Sequence, residues 1–309
     1  MNRYILNRML GIVPIVIGIS FLSFVLINLN PSDPAEVALR VNDVIATEQA
    51  VAEKRLELGL DKPFMERYLD WIFGSFHGDF GTSFITKEPV LAEMKNAIAA
   101  TLLLVAVALI MIMVVSITVS IFCVIYENSI GDRLIRAVVF IGEAMPSFWI
   151  GILLIWFFSV KLGLFPIGGM ETPSSVVLPA LTLSLGYISM YVRLIRNNMV
   201  QNKSESYVFY ARVRGLKKRV ILKHILKNSL LSTITAIGMS IPKLIAGAVV
   251  VENIFAWPGV GRLCVTAIFN HDYPIIQAYI LIMAVLFVVF NLLVDIITAF
   301  VDPRVRKGA

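Results

Sequence analysis

The sequence predicts an all-α integral membrane protein of six spanning helices with both termini in the cytoplasm. Composition, the spacing of uncharged runs and the sign of the charges between them lead to this class. Of 309 residues, 58% are hydrophobic and 16% charged, against roughly 25% charged in soluble domains. So few charges cannot cover the water-facing surface of a chain this long. The apolar content excludes disorder, and two cysteines exclude a secreted disulfide scaffold.

Crossing a hydrocarbon core takes about 20 apolar residues as helix. Met9 to Asn30, Asn96 to Tyr126 and Thr172 to Val192 carry no charge. Ala144 to Val160 is short, but can be extended backwards over residues 137–141, with Met145-Pro146 kinking or starting the helix. Asn228 to Val251 is interrupted only by Lys243, and Tyr273 to Val301 only by Asp295. Strand-type alternation is absent, so helices must satisfy the backbone in lipid. The first run also fits a signal peptide. Its 22 uncharged residues exceed a typical apolar region of one, and no A-x-A-like site directly follows, so an uncleaved anchor is expected.

Lys and Arg in the connections set the orientation. Ser32 to Lys95 holds 12 acids against seven cations and reads as outside. Arg193 to Lys227 holds ten cations against the single acid Glu205 and reads as cytoplasmic. The net charge of +6 is therefore what remains of two opposed surfaces, net −5 and net +9. Arg3 and Arg8, Arg133 and Arg136, and the terminal Arg304, Arg306 and Lys307 all fall inside on this count. One transmembrane domain over residues 1–309 is expected, with an extracytoplasmic segment at 31–95 and a cytoplasmic loop at 199–228.

Within the outer segment, Pro31-Ser32-Asp33-Pro34 stops the first helix. Thr47 is placed to cap a helix to about Leu58, with Gly59 beyond its end. A second helix after Pro63 would put Phe64, Tyr68, Trp71 and Ile72 on one face, on the membrane surface or against the outer helix ends.

Several chemistries are missing. There is no G-x-x-x-x-G-K-[ST] phosphate loop, no H-E-x-x-H and no G-x-S-x-G. His77, His224 and His271 are far apart in sequence, and an aspartyl dyad would leave Asp295 without a partner. Cys123 and Cys264 fall at depths that make a bridge improbable. Neither a catalytic group nor a metal site is expected.

The basic segment reads as two short helices joined near Gly215, since glycine suits a helix end and a change of direction. A topology signal or an anionic-lipid surface would explain its charge. Tyr207, Phe209 and Ala211 inside the basic run point instead to a packed contact.

Ala211-x-x-x-Gly215, just before the fifth span, resembles the cytoplasmic loop of ATP-binding-cassette importer permeases. The family pattern is Glu-Ala-Ala-x-x-x-Gly, and only its last Ala and its Gly match, with Phe209 and Tyr210 in the first two places. That departure is typical of the oligopeptide, dipeptide and nickel permease branch. Gly78-Asp79-Phe80-Gly81-Thr82-Ser83, Met145-Pro146-Ser147-Phe148-Trp149, Glu252-Asn253-Ile254-Phe255-Ala256-Trp257-Pro258-Gly259-Val260-Gly261-Arg262, Asp272-Tyr273-Pro274 and Asp302-Pro303-Arg304 are similar to the same branch. The ordered set covers nearly the whole chain.

The resemblance implies a type I ABC importer permease fold in a bacterial inner membrane. The implied partners are a second, homologous permease in a heterodimer, two cytoplasmic ATP-binding subunits, an extracytoplasmic substrate-binding protein and the lipid bilayer, with no nucleic acid. ATP and Mg belong to the partners, and no cofactor belongs to this chain. The loop becomes the coupling helix, with Ala211 and Gly215 as packing residues and Arg212 and Arg214 as candidate salt-bridge partners of the ATPase.

Glu252, Phe255, Trp257, Pro258 and Gly259, closed by Asp272, are the implied outer gate. On residue types alone this stretch also fits an interfacial aromatic anchor, and its Pro-Gly and Gly261 argue against regular helix. Lys243 either lines the pathway or pairs with Asp295 or a partner subunit. Asn291 and Asp295 suit helix–helix hydrogen bonds. Residues 254–259 and 267–274 are most similar to nickel and metal-chelate members, so nickel or a metal–metallophore chelate is the expected cargo and a di- or oligopeptide the alternative. A stand-alone channel or secondary transporter, the rival from another class, would usually carry internal repeats. None is found.

Overall fold

The computed structural model describes residues 2–29, 33–42 and 44–301. They are helical apart from loops and one isolated antiparallel bridge between Thr82 and Pro89. The expected Asp302-Pro303-Arg304 motif and the basic tail lie outside the described residues. Two compact units emerge, one of Met1–Thr101 with Pro258–Leu292, the other of Leu102–Trp257 with Leu293–Ala309.

In the first unit, α1 (Asn2–Asn28) is followed by α2 (Pro34–Arg40), α3 (Glu48–Glu57) and α4 (Phe64–Phe76). Helix α2 was not expected. Asp33 caps it by accepting from Ala35 N, and Pro34, whose missing N–H costs nothing in the first turn, starts it. Helix α3 is capped as predicted, with Thr47 Oγ1 accepting from Ala50 N and Gly59 at φ +64° just beyond. Tyr68 and Ile72 of α4 bury against Phe24 and Leu281, while Met65, Leu69, Phe73 and Phe76 stay exposed. Tyr68 also shares a 2.9 Å hydrogen bond with Ser20 Oγ. The predicted face therefore packs inward, and a second apolar face is left on the outside. The first turns of α5 (Val90–Ile125) and α12 (Tyr273–Val301) join α11 (Val260–Phe269) around Val90, Met94, Ala97, Ala267 and Ala278.

The second unit is organised on α8 (Val177–Asn202), whose Tyr191, Val192, Ile195 and Met199 are buried. Ser116 and Ser120 of α5 donate to the Ile188 and Val192 carbonyls. Tyr191 Oη donates to the Ala236 carbonyl of α10 (Lys218–Ile254) at 2.8 Å and shares a hydrogen bond with Ser240 Oγ at 2.6 Å. Small residues permit close approach between membrane helices. A Cβ on Gly238 would sit 3.1 Å from Val294, and one on Gly142 of α6 (Ile130–Ala144) only 2.9 Å from Ser189 Oγ.

Among the described residues, Val90–Ile125, Pro173–Asn202, Thr233–Ile254 and Tyr273–Ile296 are long and apolar enough to cross a membrane. Ile130–Ala144 and Ser147–Lys161 qualify only together, and they are bent by 108° at Met145–Pro146. The break expected at Met145-Pro146 is therefore present, and it is sharper than a kink within one helix. Pro146 has no N–H and disfavours helical backbone at Met145, so α6 ends and α7 (Ser147–Leu154) starts in a new direction, continuing as a π-helical turn over Ile155–Lys161. For α1, the apolar stretch described is Pro14–Asn28.

Candidate functional site

The loop expected to carry coupling is a helical elbow. Helix α9 (Ser206–Val213) ends with Gly215 at φ +70°, and α10 begins three residues later. Leu216 N donates to the Ala211 carbonyl at 3.1 Å and Gly215 N to the Arg212 carbonyl at 2.9 Å. This pair of bonds is a Schellman stop, in which the residue at the left-handed position is normally glycine. The Ala-x-x-x-Gly spacing thus has a local cause, because Ala211 supplies the closing carbonyl and Gly215 the left-handed turn. Within this chain a Cβ on Gly215 would meet nothing within 4 Å, so its role inside the subunit is conformational.

Phe209, Tyr210, Val213 and Leu216 are exposed, beside the exposed Arg212, Arg214, Lys217, Lys218 and Arg219. Arg212 and Arg214 make no ion pair among the described residues, so both are free to meet an acidic partner. From this elbow α10 runs 37 residues, roughly 55 Å at 1.5 Å per residue. Of its length, Thr233–Ile254 is long and apolar enough to cross a membrane, and the first turns before it are not.

The ten cations of Arg193 to Lys227 are not all available to partners. Arg196 makes a bidentate pair with buried Asp132, Nε to Oδ1 at 2.9 Å and Nη2 to Oδ2 at 2.8 Å. Asn128 N also donates to Asp132 Oδ2, and Arg136 lies 3.6 Å away. Arg193 forks onto Glu143 at 2.6 and 2.9 Å. Lys203 reaches Glu127 at 2.6 Å and the Val124 carbonyl at 3.1 Å. Two cations of the second half of α8 and Lys203 just beyond its end therefore hold α6 and the end of α5. Sequence reasoning missed these pairs. Their only signal was three acids, Glu127, Asp132 and Glu143, in an otherwise positive stretch.

The gate residues up to Trp257 lie in the second unit. Phe255, Trp257 and Glu252 are fully buried, which removes the interfacial-anchor reading of the two aromatics. Helix α10 ends in another Schellman stop, with Trp257 N donating to the Glu252 carbonyl at 2.9 Å and Ala256 in the left-handed position at φ +49°. Gly169 N donates to the Phe255 carbonyl at 2.9 Å. A Cβ on Gly168 would lie 2.4 Å from that same oxygen, so only glycine lets this loop clamp the helix end.

The remaining gate residues lie in the first unit. Pro258 is exposed and Gly259 caps α11, so the irregular stretch is shorter than expected and Gly261 is helical. Val260 N donates to Thr101 Oγ1 at 2.9 Å. Helix α11 stops with His271 at φ +56° and Asp272 N on the Ala267 carbonyl at 2.8 Å, so His271 fills a turn position. Asp272 is buried, accepting from the Ser83 hydroxyl and from Phe84 N at 3.1 Å. It ties two of the sequence motifs together. Burial pushes the Cys264 thiol up to about 11, and both cysteines are free.

Lys243 is exposed and forms no ion pair among the described residues, so the pairing with Asp295 is not made. Asn291 Nδ2 donates to Phe287 O of its own helix at 2.8 Å, not across to a neighbour. No His, Cys, Asp or Glu cluster among the described residues has the geometry of a metal site.

Among the described residues, four helices long and apolar enough to cross a membrane, with a fifth such span if the bent pair is one, mark a polytopic membrane protein. The chain belongs to the family of binding-protein-dependent transport system inner membrane components, whose model matches residues 116–307, with the family's N-terminal model matching residues 1–105. It is 39% identical to the metal-staphylopine import system permease protein CntB of Staphylococcus aureus, over 100% of both chains. It is 40% identical to the oligopeptide transport system permease protein AppB of Bacillus subtilis, covering 99% of this chain and 100% of that one. With the glutathione transport system permease protein GsiC of Salmonella typhimurium it shares 34%, over 99% of both. Among solved structures, the inward-facing MetNI methionine ABC transporter matches with a TM-score of 0.58 at 17% identity, over 70% of this chain and 99% of that chain. An amino acid ABC transporter with histidines matches at 0.52 and 14%, over 67% and 94%. At such identities the likeness shows the fold. The chain is a non-catalytic inner-membrane permease subunit of an ABC importer, a class that works with ATPase subunits and a substrate-binding protein.

Proposed function

We propose that this permease imports a metal–metallophore chelate, with all of residues 1–309 forming one transmembrane subunit. It crosses the membrane six times with both termini in the cytoplasm, and pairs with a second, homologous permease. The elbow at Ala211–Gly215 docks in an ATPase subunit, with Phe209, Tyr210 and Val213 as the apolar contact and Arg212 and Arg214 as its charged rim. The observation that carries this reading is the elbow itself, an exposed apolar and cationic surface rigidly continuous with α10. Closure of the ATPases would push on α9 and turn α10, moving its outer end at Glu252–Trp257, where Phe255, Trp257, Pro258 and Gly259 form the gate. Lys243 faces the pathway as an attractive charge for an anionic chelate. Asp272 serves the gate from behind, by fixing the start of α12.

The full-length metal-staphylopine relative supports the cargo. A second reading, oligopeptide import, is favoured by the 40% identical oligopeptide permease. Uptake of radioactive nickel with and without added metallophore, in cells lacking this chain and in cells complemented with it, separates the two. Chelate-dependent uptake restored by complementation supports the metal reading. Restored growth on peptides with no change in nickel uptake would replace it.

A further inference from the structure

The outer segment encloses a cavity of about 390 Å³, a size suited to a small organic molecule. Phe24, Trp71, Phe84 and Tyr273 give it aromatic walls, and Lys62 and Arg67 reach it as cations. Lys62 is already matched, its Nζ lying 2.7 Å from Asp70 Oδ2, a partner that also raises its pKa. Glu57 is likewise taken by Lys54 at 2.7 Å. Arg67 differs. It donates through Nη2 to the neutral Asn28 Oδ1, has no carboxylate partner among the described residues, and its Nε is buried without a hydrogen-bond partner among them.

A buried guanidinium donor left unpaired calls for an explanation, and a planar fork beside aromatic faces is suited to an anionic oxygen group on an organic body. The position is fixed as well, since the neighbouring Tyr68 is hydrogen-bonded to Ser20 and packed on Phe24. We propose that this cavity is a binding site for the carboxylate or phosphate of a small amphipathic anion, anchored by Arg67 with Trp71 as a wall. The inference does not depend on the cargo, because chelators and peptides alike carry carboxylates. The anionic group has two possible sources, a dissolved carboxylate and a lipid headgroup.

The test uses the assembled importer in phosphatidylcholine nanodiscs without its binding protein, following the part of the tryptophan fluorescence that Trp71→Phe removes. Citrate is titrated against its neutral trimethyl ester, and a parallel set of discs containing phosphatidylglycerol is read before and after citrate is added. Saturable quenching by citrate, absent with the ester and at least tenfold weaker in Arg67→Gln, supports a dissolved carboxylate. A Trp71 change in phosphatidylglycerol discs that blocks the citrate response supports a headgroup. Arg67→Lys, which keeps the charge and loses the fork, should fall between wild type and Arg67→Gln. Equal response to citrate and ester in the wild type overturns the proposal without any variant, as does a wild type silent to both citrate and phosphatidylglycerol. Unchanged citrate affinity in Arg67→Gln overturns it too.

Discussion

Replacing Gly215 with valine should uncouple ATP hydrolysis from transport while leaving the membrane helices in place. Gly215 sits at φ +70°, where an L-residue with a Cβ costs about 1–2 kcal/mol and a β-branched one more. Relieving that strain would break the bonds from Leu216 N to Ala211 O and Gly215 N to Arg212 O, 3.1 and 2.9 Å long, each worth about 1 kcal/mol. Those bonds hold the native elbow in both proteins, so the strain alone sets its loss of preference, roughly 2 kcal/mol for valine, about thirtyfold in population at 1.4 kcal/mol per decade. Helix α9, eight residues long, is too short to hold its direction alone. In proteoliposomes holding the whole importer, Gly215→Val should retain insertion and abolish most transport. Gly215→Asn should retain most activity, because asparagine tolerates the left-handed conformation. Space around the Cβ is open within this chain, so a clash inside the subunit does not explain the loss, and the Gly215→Asn variant, which also carries a Cβ, controls for a clash with the ATPase. Transport by Gly215→Val at the wild-type rate would refute the reasoning.

Other consequences follow from the same geometry. Arg196→Gln leaves buried Asp132 without its bidentate partner and should destabilise the protein by about 3–5 kcal/mol, read as a fall in melting temperature in detergent, partly recovered by adding Asp132→Asn. Gly168→Ala places a methyl 2.4 Å from the Phe255 carbonyl and should cost about 1–3 kcal/mol through forced repacking, whereas Gly186→Ala, with open space around it, should melt like wild type. His271→Gly relieves a left-handed residue at φ +56°. It should be neutral or stabilising by about 0.5–1 kcal/mol and leave nickel uptake unchanged, whereas lost uptake would make His271 a ligand.

What the sequence made legible was whatever depends on neighbours along the chain. The Thr47 cap, the helix after Pro63 and the turn at Gly215 are decided within a few residues, and each appears where local chemistry puts it. The apolar runs likewise mark helices. The 108° bend was half legible, since Pro146 announces a break but not its angle. The ion pairs joining α8 to Asp132 and Glu143 were hidden because their partners are 64 and 50 residues apart, and charge counting sums such cations with the surface ones. The Asp272 tie was hidden for the same reason, since its partner Ser83 lies 189 residues away. Lys243 and Asp295 looked like partners because each was the lone charge in its span, but depth along two helices does not fix which way a side chain faces.

The central claim is that α9 meets an ATPase on the side of the membrane opposite residues 31–95. Cysteine cross-linking reads this directly, because Cys123 and Cys264 are buried. Tyr210→Cys and, as the outer control, Ile45→Cys both replace exposed side chains, 64% and 83% accessible. In the assembled importer, a short maleimide–succinimidyl ester linker, bonding the introduced thiol at one end and a lysine amine at the other, should join Tyr210→Cys to an ATPase subunit and leave Ile45→Cys unlinked to it. An ATPase adduct from Ile45→Cys, with none from Tyr210→Cys, would contradict both the orientation and the coupling surface.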